Sequence, residues 1–139
     1  SIWPVKGRLS GSFGKRKDPF QGTDGFHAGV DLTAPRGTPI VAAADGIVTH
    51  SGWFARYGKR VIVDHGDTGL STSYAHMSKF YVHPGQMVRR GEVIGQVGQT
   101  GKSTSPHLHY EIRYLGTPVN PYQYLRSTSD FRLNFQTAD

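Results

Sequence analysis

The sequence contains no cysteine. That excludes thiolate catalysis, thiolate zinc sites and disulfides, and it leaves the compartment open, since exported chains can also do without cysteine. No apolar run is long enough to span a membrane, so no transmembrane segment is expected. No signal peptide is visible, and the chain opens at Ser1 rather than Met. It reads as a processed or excised domain of a longer exported protein, with any targeting or anchor segment outside it. Acidic residues are in the minority, 10 Asp and Glu against 16 Lys and Arg, for a net charge of +6. Such a charge favours anionic partners: nucleic acid, lipid headgroups or a cell-wall polymer. The basic residues are scattered apart from Lys15-Arg16-Lys17 and Arg89-Arg90, and no aromatics interleave with them as a nucleic-acid groove requires. Nucleic acid is therefore not an expected partner.

Helical periodicity is also scarce, whereas 18 Gly and 8 Pro mark frequent turns. With 139 residues, 36% of them apolar, the chain is long enough for one domain with its own core. The expectation is a single all-β domain of short strands, too closely spaced for βαβ crossovers. Strands are expected at 39–44, 47–50, 57–65, 70–77, 92–97 and from His107. Asp45-Gly46 reads as a hairpin turn between the first two. On the strand from Leu70, period-2 alternation puts Leu70, Thr72, Tyr74 and His76 on one face. From Tyr122 the tail is polar, and a turn of helix or a peripheral strand is expected there.

Seven histidines carry most of the chemical signal. His107, His109 and Glu111 alternate along a strand and so share a face. Two imidazoles about 6–7 Å apart, at ~3.3 Å rise per residue, can both reach one metal ion, or one metal and its substrate; the bland alternative is a solvated polar face. His27 and Asp31 lie four apart around Gly29-Val30, where even spacing aligns them on an extended segment. They form either a metal-ligand pair or a surface hydrogen bond. His76 sits in a strand beside Tyr74. His50 and His83 read as polar strand ends, and His65 as a structural hydrogen-bonding group. With Asp31, the histidines 27, 76, 107 and 109 offer three ligands and an open position, the arrangement of catalytic zinc. Two further imidazoles could then orient water, accept its proton and stabilise an oxyanion.

The motifs His27-x-x-x-Asp31, Tyr74-Ala75-His76-Met77-Ser78 and Pro106-His107-Leu108-His109-Tyr110-Glu111 resemble those of the lysostaphin-like (LytM-type) zinc endopeptidases of bacterial cell walls. Supporting similarity runs through Ser12-Phe13-Gly14-Lys15-Arg16, Ala44-Asp45-Gly46-Ile47-Val48 and Gly91-Glu92-Val93-Ile94-Gly95, over roughly residues 4 to 125. The chain departs from the family pattern at Met77 and Ser105, neither of them a ligand. The resemblance implies a compact antiparallel β-sheet core, duplicated and barrel-sandwich-hybrid-like, with long loops framing a groove. It implies that His27, Asp31 and His109 hold Zn2+, and that His76 and His107 are the catalytic histidines. It implies hydrolysis of peptidoglycan peptides, cross-links or stem peptides, in the periplasm, cell envelope or outside the cell. A monomeric domain is expected, with a core at about 4–125 and a tail at 126–139. Glu111 has no role in the family pattern and is expected to be supporting or structural.

Two other classes compete. A non-catalytic wall-binding or amidase-activating module of the same fold would suit the basic charge, although every ligand position is filled. A carrier or phosphotransfer domain is suggested by Val82 to Gly95, but the lysine-bearing turn a carrier needs is missing and Asp31 would have no task.

Overall fold

The computed structural model describes residues 1–17 and 24–124. Its strands are β1 (Arg8–Gly11), β2 (Gly14–Lys17), β3 (Asp24–His27), β4 (Val30–Thr33), β5 (Pro39–Val41), β6 (Gly46–Trp53), β7 (Lys59–Asp64), β8 (Leu70–Phe80), β9 (Met87–Val88), β10 (Val93–Val97), β11 (His107–Tyr114) and β12 (Thr117–Val119). Among the described residues the only helical pieces are three 3₁₀ turns, at Ala55–Tyr57, Gly66–Thr68 and Pro121–Tyr124. The all-β expectation holds. The last turn is where a turn of helix was one of two readings for the start of the tail; residues 125–139 lie outside the described residues.

The main sheet is antiparallel and runs β1-β4-β11-β8-β7-β6-β9. β10 bridges β5 and β8, and β12 extends β11. β2 and β3 form a separate two-stranded ribbon. β11 is central and buried on both faces. Leu108, Tyr110 and Ile112 enter the core with Val30, Leu32, Val61, Val63 and Tyr74. Burying a large apolar side chain of this kind contributes roughly 1.5–3 kcal/mol. The opposite face of β11 carries His109 and Glu111, only 8% and 2% exposed. Polar groups at that depth persist only when hydrogen-bonded.

Three local expectations are corrected. Asp45-Gly46 does not close a hairpin: β5 pairs with β10, while β6 pairs with β7 and β9. The Ala42 amide is already taken by the Glu92 carbonyl at 2.9 Å, which draws β5 toward β10. His27 and Asp31 do not share one extended segment. They end one sheet and open the other, with the chain crossing at Ala28-Gly29. Gly29 permits the crossing, because a Cβ there would lie 2.3 Å from the Tyr110 carbonyl oxygen.

The third correction concerns His76. β7 and β8 pair at Lys59↔Met77 and Val61↔Tyr74. Ala75 and His76 therefore oppose Arg60 alone, which is a β-bulge. His76 has φ +60°, the left-handed region that non-glycine residues rarely adopt. Strict alternation would leave it on the Tyr74 face, toward the core. The bulge turns it to the other face, where its ring centroid is 4.8 Å from that of His107 and 6.2 Å from that of His109.

Candidate metal centre and active site

Register builds the centre. β11 lies between β4 and β8, with His109 directly opposite Asp31 on one side and Ala75 on the other. Residues directly opposite across an antiparallel pair have neighbouring side chains. Asp31 Oδ1 is 2.9 Å from His109 Nδ1, and Asp31 Oδ2 is 3.2 Å from His27 Nε2. Ligand atoms of His27, Asp31 and His109 all lie within 4.8 Å of one another. His107 Nε2 is 3.8 Å from Asp31 Oδ1.

Each of the four imidazoles has one nitrogen tied to an acceptor outside the centre. His27 Nδ1 donates to the Ser12 carbonyl at 2.8 Å. His76 Nδ1 donates to the Thr100 carbonyl at 2.7 Å. His107 Nδ1 donates to the Ser105 carbonyl at 2.9 Å, with Ser103 Oγ 3.1 Å away. His109 Nε2 donates to Glu111 Oε2 at 2.8 Å. The proton on the tied nitrogen leaves the other nitrogen turned toward the centre, where it presents a lone pair whenever it is itself unprotonated. His27, His76 and His107 thus offer Nε2, and His109 offers Nδ1.

Glu111 is held in turn. Its Oε2 also accepts from the Tyr57 hydroxyl at 3.0 Å, and its Oε1 accepts from Arg113 Nε at 2.9 Å and Nη2 at 2.8 Å. Tyr57 is positioned partly by Arg60, whose guanidinium stacks over the Phe54 and Tyr57 rings at 4.0 and 5.3 Å.

The charges follow from these contacts. Burial by itself would raise the Asp31 pKa, but hydrogen bonds from His109 and His27 hold it well below the usual carboxylate range. Burial would likewise raise Glu111, yet His109 and Arg113 bring it down to about 2. For His109 burial favours the neutral ring, and the bonds to Asp31 and Glu111 overcome this, raising its pKa to about 9. Without metal, His109 is an imidazolium donating to two carboxylates. His76 shifts the other way: burial lowers its pKa, the Thr100 hydrogen bond opposes this, and nearby His107 and His109 add to the lowering. His76 is thus a neutral base at neutral pH.

The cleft above the centre has a volume of about 400 Å³ and is lined by Phe26, His27, Arg56, Tyr57, His76, Lys102 and His109, among others. Tyr57, Arg56 and Lys102 were not singled out by the sequence. An aromatic opening a strand cannot be told from a core residue, and two loop cations carry no pattern. His65 is structural as expected, with Nδ1 to the Asp45 carbonyl at 2.7 Å and Nε2 to Thr72 Oγ1 at 2.8 Å. His83 is exposed, and His50 lies within β6 rather than at a strand end.

The donor set of two imidazoles and one carboxylate suits a borderline divalent ion such as zinc. The DD-carboxypeptidase/endopeptidase Mpg of Neisseria meningitidis is 51% identical over 114 residues, covering 82% of this chain and 26% of its own length. The murein hydrolase activator NlpD of Escherichia coli is 40% identical, covering 88% of this chain and 30% of its own length. The chain therefore spans only about a fifth to a third of the length of the curated relatives it matches. Among solved structures, the catalytic domain of the antimicrobial peptidase lysostaphin from Staphylococcus simulans superposes with a TM-score of 0.77 at 31% identity, covering 87% of this chain and 93% of that one. The model of peptidase family M23 matches residues 25–121, most of the chain and all five residues of the centre, and so the chain belongs to peptidase family M23.

Proposed function

We propose that this chain is a zinc-dependent endopeptidase that hydrolyses peptide bonds of peptidoglycan, in cross-links or stem peptides. One observation carries the reading: Asp31 sits between the inward nitrogens of His27 and His109, with His107 Nε2 3.8 Å from its Oδ1 and the His76 ring 4.8 Å from that of His107. His27, Asp31 and His109 would hold the ion. Zinc, when bound, polarises a substrate carbonyl and makes a water acidic enough to lose its proton near neutral pH.

The chain's own residues supply the rest. His76 takes a proton at Nε2, while the Thr100 carbonyl keeps its Nδ1–H in place and the ring correctly turned. His107 Nε2, held by the Ser105 carbonyl behind it, orients the water and stabilises charge that develops on the substrate oxygen. Glu111 keeps the proton of His109 on Nε2, so that Nδ1 is the ligand atom. The place of action on this reading is the cell envelope, in the periplasm or outside the cell, with the domain working as a monomer.

A second reading is a non-catalytic wall-binding or amidase-activating module, which the 40% identity to the murein hydrolase activator favours. Purified sacculi incubated with zinc-loaded protein separate the two. The peptidase reading expects new amine termini, abolished by chelator and by His107→Ala with zinc content retained. Binding to sacculi with no new termini would establish the module instead.

A further inference from the structure

Thr100 stands where two loops and two strands meet. The Lys102 amide donates to the Arg56 carbonyl at 2.8 Å. A Cβ on Gly101 would strike the Arg56 carbonyl oxygen, and one on Gly58 would strike the backbone of Thr100 and Gly101. Glycine at both positions therefore lets the loops touch backbone to backbone. The contact delivers Thr100 to the end of the β-bulge between β7 and β8.

There its hydroxyl bridges the two strands. Lys59 and Met77 form the pair that closes the bulge. The Thr100 hydroxyl accepts from the Lys59 amide at 3.0 Å and donates to the Met77 carbonyl at 2.6 Å. The carbonyl of the same residue accepts from His76 Nδ1 at 2.7 Å. His76 lies between these anchors, next to Met77, at φ +60°. A non-glycine residue in that region persists only where its surroundings over-determine it. Thr100 supplies two of the constraints, one on the strand and one on the ring. A threonine that only satisfied backbone groups would have no reason to present its carbonyl to His76 as well.

We propose that Thr100 is a positioning residue for His76. Its hydroxyl holds the bulge at the pairing of Lys59 with Met77. The bulge and the Thr100 carbonyl together keep the His76 proton on Nδ1 and leave Nε2 free to take one. This inference rests on the peptidase reading above and names what sets its base. Removing the hydroxyl leaves His27, Asp31 and His109 untouched but releases β8 from the loop. The His76 ring then turns away from the Thr100 carbonyl, and the two tautomers of its neutral form mix.

Thr100→Val removes the hydroxyl and keeps the branched shape, whereas Thr100→Ser keeps the hydroxyl. Zinc-loaded Thr100→Val should lose about 10²-fold in kcat on a cleavable wall peptide, the scale of a misplacement of about 1 Å. Its KM and zinc content should stay close to wild type, and Thr100→Ser should recover most of the loss. In metal-free protein at neutral pH, the ring-nitrogen NMR shifts of His76 should report the Nδ1–H form in wild type and Thr100→Ser, and a mixture in Thr100→Val. Should Thr100→Val not hold its fold, Thr100→Cys takes its place, its thiol being a weaker donor and acceptor, with a smaller loss expected. Unchanged kcat and tautomer in the variant without the hydroxyl, an equal loss in Thr100→Ser, or loss of zinc together with activity would each overturn the positioning role alone. Wild-type protein that cleaves no wall peptide would overturn the peptidase reading, and the tautomer comparison would still decide whether Thr100 sets His76.

Discussion

Glu111 Oε2 lies 2.8 Å from His109 Nε2, and this contact decides which nitrogen of His109 faces Asp31. With Nε2–H committed to Glu111, only Nδ1 can bind an ion between Asp31 and His27. Glu111→Ala should weaken zinc binding by about 10–100-fold, measured by competition against a chromophoric chelator. Glu111→Gln keeps an acceptor oxygen and should recover part of the loss. Equal zinc affinity in all three proteins would remove Glu111 from this role.

Metal-free protein should lose stability as pH rises. The His109 pKa is raised in the fold to about 9 from a usual value of 6.5. A raised pKa means the folded state binds the proton more tightly, so the contribution is complete below about 6.5 and disappears as pH climbs through about 9. Asp31 and Glu111 act in the opposite direction, since their depressed pKa values add stability that is lost on acidification. Thermal melts of metal-free protein should therefore fall between pH 6.5 and 9. A flat profile over that range would contradict the ion-paired state of His109.

On the proposed ligand set, an incoming zinc ion should displace the proton from His109 Nδ1. Calorimetry at pH 7 in buffers of different ionisation enthalpy should register about one proton released per ion. The bound ion should also raise the melting temperature reversibly, with the gain abolished by chelator.

His76→Ala should lower kcat by about 10²–10⁴-fold, the usual worth of a general base, while zinc affinity should stay close to wild type, since the proposed ligands are His27, Asp31 and His109. Steady-state kinetics on a cleavable wall peptide, with metal analysis of the same sample, separates these outcomes. A matching loss of metal would make His76 a ligand.

Gly29→Ala should destabilise the fold by about 2 kcal/mol or more, as expected for overpacking against backbone. Its Cβ would meet the Tyr110 carbonyl at 2.3 Å and Glu111 Cγ at 2.8 Å. Urea melts should show the loss. Asp31, two residues on, should lose zinc affinity as β4 is pushed from β11.

The sequence by itself determined the class of fold and the chemical inventory. Period-2 alternation in Leu108, Tyr110 and Ile112 against His107, His109 and Glu111 needs only the geometry of one strand, and β11 has that arrangement. Likewise, a chain without cysteine has only His, Asp and Glu for a borderline metal. Tertiary structure decided what depends on pairing between distant segments. Asp31 meets His109 because β4 and β11 align in one register. His76 leaves the core face because β8 carries an extra residue against β7, a mismatch that neither strand reveals alone. The Asp45-Gly46 turn fails as a hairpin because the Glu92 carbonyl claims Ala42. Tyr57, Arg56 and Lys102 reach the cleft because two glycines let two loops touch backbone to backbone. Local sequence sets which way a strand alternates; only the packed chain sets where a bulge interrupts it and which loops close over the result.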